Sequence, residues 1–257
     1  EIEPGKLFVA LRGVRDGHDF AGTAFEAGAA GALVERVVDG GPCITVADTL
    51  KALEALGEAA RDRSSARRAA VTGSVGKTSV TQAIKAGLDL AGPAHASVKS
   101  YNNHIGVPLT LARMPRETAH AVFEIGMNAP GEIAPLSRMV RPDVTVITNV
   151  EAVHGAHFES VDDIAEAKAE IFQGMTGDGV AVLNRDNAQF NRLAAAAGEA
   201  GVNNVIAFGA HEEAQFRLMD VRTDCEGSNV TARIDGAEFQ YRLGVPGHHW
   251  VMNSLAV

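Results

Sequence analysis

The residues best suited to chemistry lie in one short stretch, residues 73–79, which reads Gly-Ser-Val-Gly-Lys-Thr-Ser. A small apolar run precedes this stretch and a predicted helix follows it. Glycines let backbone N–H groups turn inward around a phosphate, and a helix N-terminus adds the positive end of its dipole. Lys77 is then expected to reach the β- and γ-phosphates of a nucleotide, and the Thr78 hydroxyl to hold Mg²⁺.

The pattern predicts a nucleoside triphosphate site, and with it the use of ATP or GTP. The long form of this loop has a further glycine at position 71, where this chain has Val71. A glycine-rich turn with a surface lysine is the alternative interpretation. The residues assigned to the phosphate site are Gly73, Ser74, Val75, Gly76, Lys77, Thr78 and Ser79.

Glu124 interrupts an otherwise apolar run at 119–128. A buried carboxylate costs free energy unless it is paired or bound to a metal. Because the predicted strand ends beside residues 73–79, Glu124 is a candidate for a second Mg²⁺ contact. The alternative is a carboxylate that reaches solvent at the end of the strand.

Lys168 shares one face of a predicted helix over 161–174 with apolar residues such as Ile164 and Ile171. A lysine that faces the core must be paired, neutral or covalently modified. The alternative is a lysine at the edge of the apolar stripe whose ammonium group extends to water.

Polar residues on two predicted loops complete the candidate site. His154 follows the predicted strand 143–148, where it is a candidate to bind metal or contact phosphate oxygens, although it is also typical of a surface residue with His157 beside it. The run 101–110 contains Asn102, Asn103 and His104, which suit recognition of a polar substrate. An extended turn before a proline explains that run equally well.

Composition excludes several classes of protein. The chain has 257 residues, 46% of them hydrophobic, and a formal net charge of −9, which disfavours nucleic acid as a partner. No apolar run approaches the roughly 20 residues that cross a membrane, so no membrane insertion is expected. Cys43 and Cys225 lie far apart without metal-ligand spacing, as is typical of reduced thiols in a cytoplasmic protein.

The order of predicted elements indicates an α/β protein with two domains, 1–66 and 67–257. The first is a small α/β unit, and residues 61–70 read as a polar, basic linker. The second alternates strand and helix from 69 to 210, which predicts a mostly parallel sheet flanked by helices. Residues 215–243 add short antiparallel strands. The abrupt start at Glu1 and an ending inside a predicted helix lead us to expect further chain beyond both ends.

Together these motifs resemble the Mur ligase family of peptidoglycan synthesis, over essentially the whole chain. The runs that carry the resemblance are EIEPGKLFVALRG, TGSVGKTS, YNNHIGVPLTL, FEIGMNAPGEI, TNVEAVH, EAKAEIF and PGHHWVMN. The resemblance implies that residues 1–66 bind the UDP-sugar and that residues 67–257 bind ATP. It also implies a third, C-terminal domain, which this sequence does not contain.

The resemblance implies a role for each matched residue. Lys77 and the loop amides would hold the ATP phosphates, and Thr78 and Glu124 would bind the first Mg²⁺. His154 would lie near a second Mg²⁺. Lys168 corresponds to a lysine that the family carbamylates to make a metal ligand. Two further assignments are Asn253 near the adenine and the loop of Asn102, Asn103 and His104 facing the muramoyl substrate.

The implied activity is ATP-dependent amide ligation through an acyl phosphate, with ATP and Mg²⁺ required. The member that the motifs resemble most joins D-alanyl-D-alanine to UDP-N-acetylmuramoyl-tripeptide, and a monomer is expected. The first alternative is the related ligase that adds the third residue to UDP-N-acetylmuramoyl-dipeptide. From a different class, the alternative is a nucleotide-binding switch module without ligase activity.

Overall fold

The computed structural model of the chain describes residues 3–152 and 158–257, and within them the strands form two sheets. The first sheet has three strands in the order β1-β2-β3, and the second has nine in the order β12-β11-β10-β9-β8-β7-β4-β6-β5. The strands are β1 Leu7–Val9, β2 Gly31–Val34, β3 Cys43–Thr45, β4 Arg67–Thr72, β5 Ala94–Ala96, β6 His120–Glu124, β7 Val144–Ile147, β8 Val180–Asn184, β9 Asn204–Gly209, β10 Phe216–Asp224, β11 Gly227–Ile234 and β12 Ala237–Leu243.

Helices connect most of the parallel strands. The α-helices are α1 Ala21–Glu26, α2 Thr49–Asp62, α3 Lys77–Leu88, α4 Gly106–Ala112, α5 Ile133–Val140, α6 Val161–Ala169, α7 Phe190–Glu199 and α8 His248–Ser254. Two 3₁₀ segments, Gly17–Phe20 and Glu170–Gly174, adjoin α1 and α6. None of the helices in the described ranges is long and apolar enough to cross a membrane.

The helix α2 joins the region of the small sheet to that of the large one. It is capped by Asp48, whose side chain accepts a hydrogen bond of 2.9 Å from the N–H of Lys51 and so satisfies one of the free donors of the first turn. Further along α2, Gly57 faces α4 so closely that an added Cβ would lie 2.9 Å from the carbonyl oxygen of Pro108. This close approach fixes α2 against the helix that follows the polar run 101–110.

In the large sheet, β4 lies between β6 and β7 and pairs in parallel with both. Buried apolar side chains pack on both faces of the sheet, with Phe123 and Ile147 in one cluster and Val71 and Val122 in the other. The carboxyl ends of β4, β6 and β7 therefore meet at one edge, where ligands of parallel sheets bind. The candidate site lies at this edge.

The predicted α/β class with a mostly parallel sheet and an antiparallel addition is confirmed.

The predicted linker over 61–70 is wrong, because α2 extends to Asp62 and β4 already begins at Arg67. The extended turn before Pro108 is also wrong. Pro108 lies in the first turn of α4, where its fixed φ is compatible with the helix. The predicted helix 161–174 changes to 3₁₀ geometry after Ala169. The two-domain division stays a prediction.

Candidate phosphate and metal site

The loop between β4 and α3 depends on two glycines with positive φ, Gly73 at 148° and Gly76 at 84°. A Cβ on Gly73 would collide with Oγ1 of Thr148, the residue that follows β7. Thr148 Oγ1 in turn donates a hydrogen bond of 2.6 Å to the carbonyl of Val75. The loop is therefore held against the neighbouring strand end by packing and by a side-chain hydrogen bond.

Ser74 ties the same loop to residues 149–151. Its N–H donates to the carbonyl of Asn149 at 2.8 Å, and its hydroxyl oxygen accepts from the N–H of Glu151 at 3.0 Å. The Ser74 N–H is therefore already used in a hydrogen bond within the protein. Donors for a phosphate are left to the later amides of the loop and to the first turn of α3.

Lys77 opens α3, and its side chain turns back over the loop. The ammonium Nζ donates to the carbonyls of Gly73 at 2.8 Å and Ser74 at 3.4 Å. Burial lowers the pKa of Lys77 below its usual range, while the charge of Glu124 opposes that shift. The lysine is therefore positioned over the loop by neutral acceptors, with a carboxylate close enough to influence it.

Thr78 and Glu124 meet across the edge of the sheet. Glu124 ends β6 and is 1% exposed, and Thr78 Oγ1 donates to its Oε2 at 2.7 Å. A hydroxyl and a carboxylate oxygen side by side are the hard oxygen donors that Mg²⁺ prefers. Glu124 is buried, so the alternative that its carboxylate reaches solvent is wrong.

Lys168 lies on α6 with 1% of its surface exposed, so the alternative that it extends to water is wrong. Burial, and to a lesser degree the charge of Lys77, lowers the pKa of Lys168 to about 7. Among the residues that the structure describes, no carboxylate forms an ion pair with Lys168. An amine in this state is partly neutral near pH 7, which makes it a competent nucleophile.

The polar residues of the run 101–110 differ in what they contact. Asn102 donates from Nδ2 to Glu124 Oε1 at 2.6 Å and so belongs to the candidate metal site. Asn103 Oδ1 accepts from the N–H groups of Ile105 and Gly106 and so caps the start of α4. His104 is exposed. His154 lies outside the described residues.

A cleft of about 780 Å³ opens beside the loop, on the side of α8. Its walls include Val75, Asn149, Asn187 and Trp250, and Asn253 enters it from α8. An added Cβ on Gly76 would lie 2.6 Å from Asn253 Nδ2, so the two are in close contact. The cleft is of a size that holds a nucleoside, next to the predicted phosphate loop.

Several residues of the site were not predicted. Ser97 and Ser100 precede the run 101–110 and bond to the same two residues, Thr78 and Glu124. Ser97 lies inside the strand predicted over 94–98 and Ser100 just after it, and neither residue has a sequence signal for a role in the site. In the described ranges, no group of three or more His, Cys, Asp or Glu side chains forms a metal cluster. Thr78 and Glu124 are the neighbouring oxygen donors that the described residues offer to a cation beside the loop.

Known proteins are similar to this chain in sequence and in fold. Residues 71–257 match the family model of the Mur ligase middle domain. The UDP-N-acetylmuramoyl-tripeptide--D-alanyl-D-alanine ligase of Bacillus subtilis is 39% identical over 261 residues, which cover 100% of this chain and 55% of that protein. A crystal structure of MurF from Acinetobacter baumannii has a TM-score of 0.88 and 30% identity, covering 100% of this chain and 56% of that one.

A third similar structure is that of MurF ligase from Thermotoga maritima in complex with ADP. It has a TM-score of 0.84 and 27% identity, and the match covers 100% of this chain and 59% of that one. The chain thus spans little more than half the length of the proteins it matches.

Proposed function

Because the chain belongs to the Mur ligase family, we propose that it acts in the ATP-dependent ligation of D-alanyl-D-alanine to UDP-N-acetylmuramoyl-tripeptide. The reaction forms an amide through an acyl phosphate, in the cytoplasmic synthesis of peptidoglycan precursors. Relatives at 39% and 36% identity are named as ligases of this pair of substrates, which favours it over a dipeptide and a third amino acid.

One observation carries the proposal: a buried lysine with a lowered pKa lies close enough to the loop for the charge of Lys77 to affect it, and a hydroxyl and a carboxylate are hydrogen-bonded beside the same loop. Lys168, Thr78 and Glu124 are the residues concerned. A switch module that only binds and hydrolyses a nucleotide has no use for a nearly neutral, buried amine. A ligase that converts a lysine into a metal ligand does need such an amine.

The residues of the loop have separate tasks in this mechanism. Lys77 and the amides after Ser74 bind the β- and γ-phosphates of ATP, and Asn253 lies beside the adenine in the cleft. Thr78 and Glu124 fit Mg²⁺ because they offer neighbouring oxygen donors. The cation would neutralise charge on the phosphoryl group during its transfer.

Lys168 and His154 are assigned to a second Mg²⁺. A neutral Lys168 amine attacks CO₂, the new N–C bond gives a carbamate, and one proton leaves to solvent. The carbamate supplies the anionic oxygen that the lysine itself lacks. The low pKa of Lys168 supports this step because it requires the neutral amine.

Substrate binding is assigned to the remaining predicted residues. Residues 1–66 would form the UDP-sugar-binding domain and residues 67–257 the ATP-binding domain, in a monomer. Asn102 reaches Glu124 from the loop before α4, and the muramoyl substrate is assigned to this loop of Asn102, Asn103 and His104. The peptide carboxylate would then reach the γ-phosphate of ATP next to the Thr78–Glu124 pair.

Phosphate release from ATP, measured over a small matrix of substrates, tests the function. The complete protein is given ATP and Mg²⁺ with UDP-N-acetylmuramoyl-dipeptide or -tripeptide, and with D-alanyl-D-alanine, a diamino acid or no amine. We expect release only with tripeptide and D-alanyl-D-alanine together. Release with dipeptide and a diamino acid would reassign the chain to the preceding ligase. Release that needs neither substrate would point to a switch protein.

A further inference from the structure

The segment between β5 and α4 places three polar side chains against the two residues assigned to the metal. Ser97 Oγ accepts from the N–H of Glu124 at 3.0 Å, and Ser100 Oγ lies 3.2 Å from Thr78 Oγ1. Asn102 completes the set with its hydrogen bond of 2.6 Å to Glu124. The segment thus contacts Glu124 at both its backbone and its carboxylate.

The two carboxylate oxygens of Glu124 have different partners. Oε1 accepts from Asn102, and Oε2 accepts from Thr78. Because the carboxylate is buried, turning its plane away from this orientation would leave at least one oxygen without a donor. The Asn102 amide therefore fixes the orientation of the carboxylate, with one oxygen toward Thr78.

Asn102 is itself held in place by the backbone and by a close neighbour. Its N–H donates to the carbonyl of Ser100, and its carbonyl accepts from the N–H of Gly126, both at 2.9 Å. An added Cβ on Gly126 would lie only 2.8 Å from Cγ of Asn102. The glycine therefore provides the space that the Asn102 carboxamide occupies.

We propose that Asn102 is a positioning residue for a divalent cation: its amide fixes the Glu124 carboxylate so that Oε2 stays beside Thr78. This assigns Asn102 to the metal side of the site and leaves Asn103 and His104 to the substrate side. The inference rests on the proposed function, because it requires a metal–nucleotide complex at the loop. It goes beyond that function by linking the polar run 101–110 to the metal.

Mn²⁺ binding tests the proposal without any need for turnover. The complete protein is titrated with Mn²⁺ in the presence of a non-hydrolysable ATP analogue, and free Mn²⁺ is followed by electron paramagnetic resonance. We expect Asn102→Ala to raise the Kd for Mn²⁺ about 10-fold, the range for losing a group that orients a ligand. The matched control is Asn203→Ala, an exposed asparagine before β9, which should leave that Kd unchanged.

A double-mutant cycle separates positioning from direct binding. If Asn102 acts through the Glu124 carboxylate, Asn102→Ala should add nothing to the weakening caused by Glu124→Gln. Independent, multiplying effects of the two substitutions would overturn the proposal. In steady-state turnover, Asn102→Ala should raise the Mg²⁺ concentration for half-maximal rate and leave the KM for the muramoyl substrate unchanged. A raised KM for the muramoyl substrate with an unchanged Mg²⁺ requirement would show instead that Asn102 binds that substrate.

Gly126→Ala provides a second route to the same result if Asn102→Ala does not fold. It keeps the donor but displaces it, so we expect the same rise in Kd for Mn²⁺. Unchanged affinity in both variants, with wild-type binding intact, would overturn the positioning role alone. If the wild-type protein binds neither Mn²⁺ nor the ATP analogue, the proposed function fails and this inference fails with it.

Discussion

Lys77 binds two carbonyls of its own loop, and this geometry brings its ammonium group over the place where phosphates are expected. Replacing it with alanine removes the cation and leaves the loop fixed by Thr148 and Ser74. We expect Lys77→Ala to lower ATP-dependent turnover by about 10²- to 10³-fold with little change in unfolding temperature.

Lys85→Ala is the matched control for this prediction. Lys85 lies on the same helix, two turns further on, and pairs only with Asp89 at 2.6 Å in the part of the chain that the structure describes. Its loss should leave turnover as in wild type. Wild-type activity in Lys77→Ala would sink the assignment of the phosphate site.

Lys168 makes stability depend on pH. Its pKa is about 7 in the folded protein against an ordinary value of 10.5, so between these values the unfolded chain binds more protons. Stability from this group therefore rises with pH from about 7 to 10.5, with a slope that approaches about 1.4 kcal/mol per pH unit. Below about pH 7 both states are protonated and the full cost of burying the charge remains.

Urea unfolding at pH 6.5 to 9.5 in CO₂-free buffer measures this dependence. The reference is Lys168→Met, which keeps the apolar stem without the charge. The free energy of unfolding of wild type relative to Lys168→Met should increase across this range. Parallel curves for the two proteins would contradict a lowered pKa.

At the scale of the elements, Glu170 connects the 3₁₀ segment after α6 to the N-terminus of α5. Its carboxylate accepts from the N–H groups of Gly131 at 2.6 Å, Ile133 at 3.1 Å and Ala134 at 3.0 Å. A charged cap from outside the helix also benefits from the helix dipole. We expect Glu170→Ala to lower the free energy of unfolding by about 1–2 kcal/mol.

The control for Glu170 is Glu166→Ala, one turn earlier. The side chain of Glu166 is largely exposed and contacts Arg192 at 2.9 Å. An exposed ion pair contributes little, so this substitution should cost less than about 1 kcal/mol. Chemical denaturation measures the free energy of unfolding of both variants. An equal decrease in the two would show that the cap on α5 does not account for the destabilisation by Glu170→Ala.

Gly57 tests the contact between α2 and α4. Alanine favours a helix over glycine by about 1 kcal/mol, yet here its Cβ would meet the Pro108 carbonyl at 2.9 Å and Leu111 Cβ at 3.3 Å. We expect Gly57→Ala to destabilise the protein by about 1–3 kcal/mol because the helices must separate.

Gly198→Ala in α7 is the counterpart, since an added Cβ there would meet nothing within 4 Å. It should stabilise the protein by about 0.5–1 kcal/mol. Thermal unfolding of both variants gives the comparison. A stabilising Gly57→Ala would mean that the two helices are not in close contact.

The elements show which features could be predicted from the sequence. The strands of the large sheet were predictable because apolar runs between helices have few other structural solutions. The change to 3₁₀ geometry after Ala169 was not, because Glu170 there contacts a different helix, and tertiary contacts of this kind leave no pattern in the sequence. Asn102 and Asn103 look alike in sequence, yet one caps the next helix and the other contacts a residue 22 positions away. Only tertiary structure separates these two tasks.

At the scale of the whole molecule, the proposed nucleotide site lies at the carboxyl ends of strands in one nine-stranded sheet, so binding there would be coupled to folding. A ligand that binds only the folded state stabilises it, by about 2.7 kcal/mol at 100 times its Kd. A non-hydrolysable ATP analogue with Mg²⁺ should therefore raise the unfolding temperature of wild type. The same ligand should leave the unfolding temperature of Lys77→Ala almost unchanged. An equal rise of the unfolding temperature in both proteins would contradict binding at this loop.

The close packing of Gly73 against Thr148 affects how fast a nucleotide associates with the loop. A loop already fixed by a neighbouring strand loses little conformational entropy when an anion arrives, so the entropic cost of the encounter falls mainly on the nucleotide. Association should then proceed in a single phase whose rate is linear in nucleotide concentration, without a slow ordering step. Larger side chains at position 73 would force the loop apart from Thr148 and introduce that step.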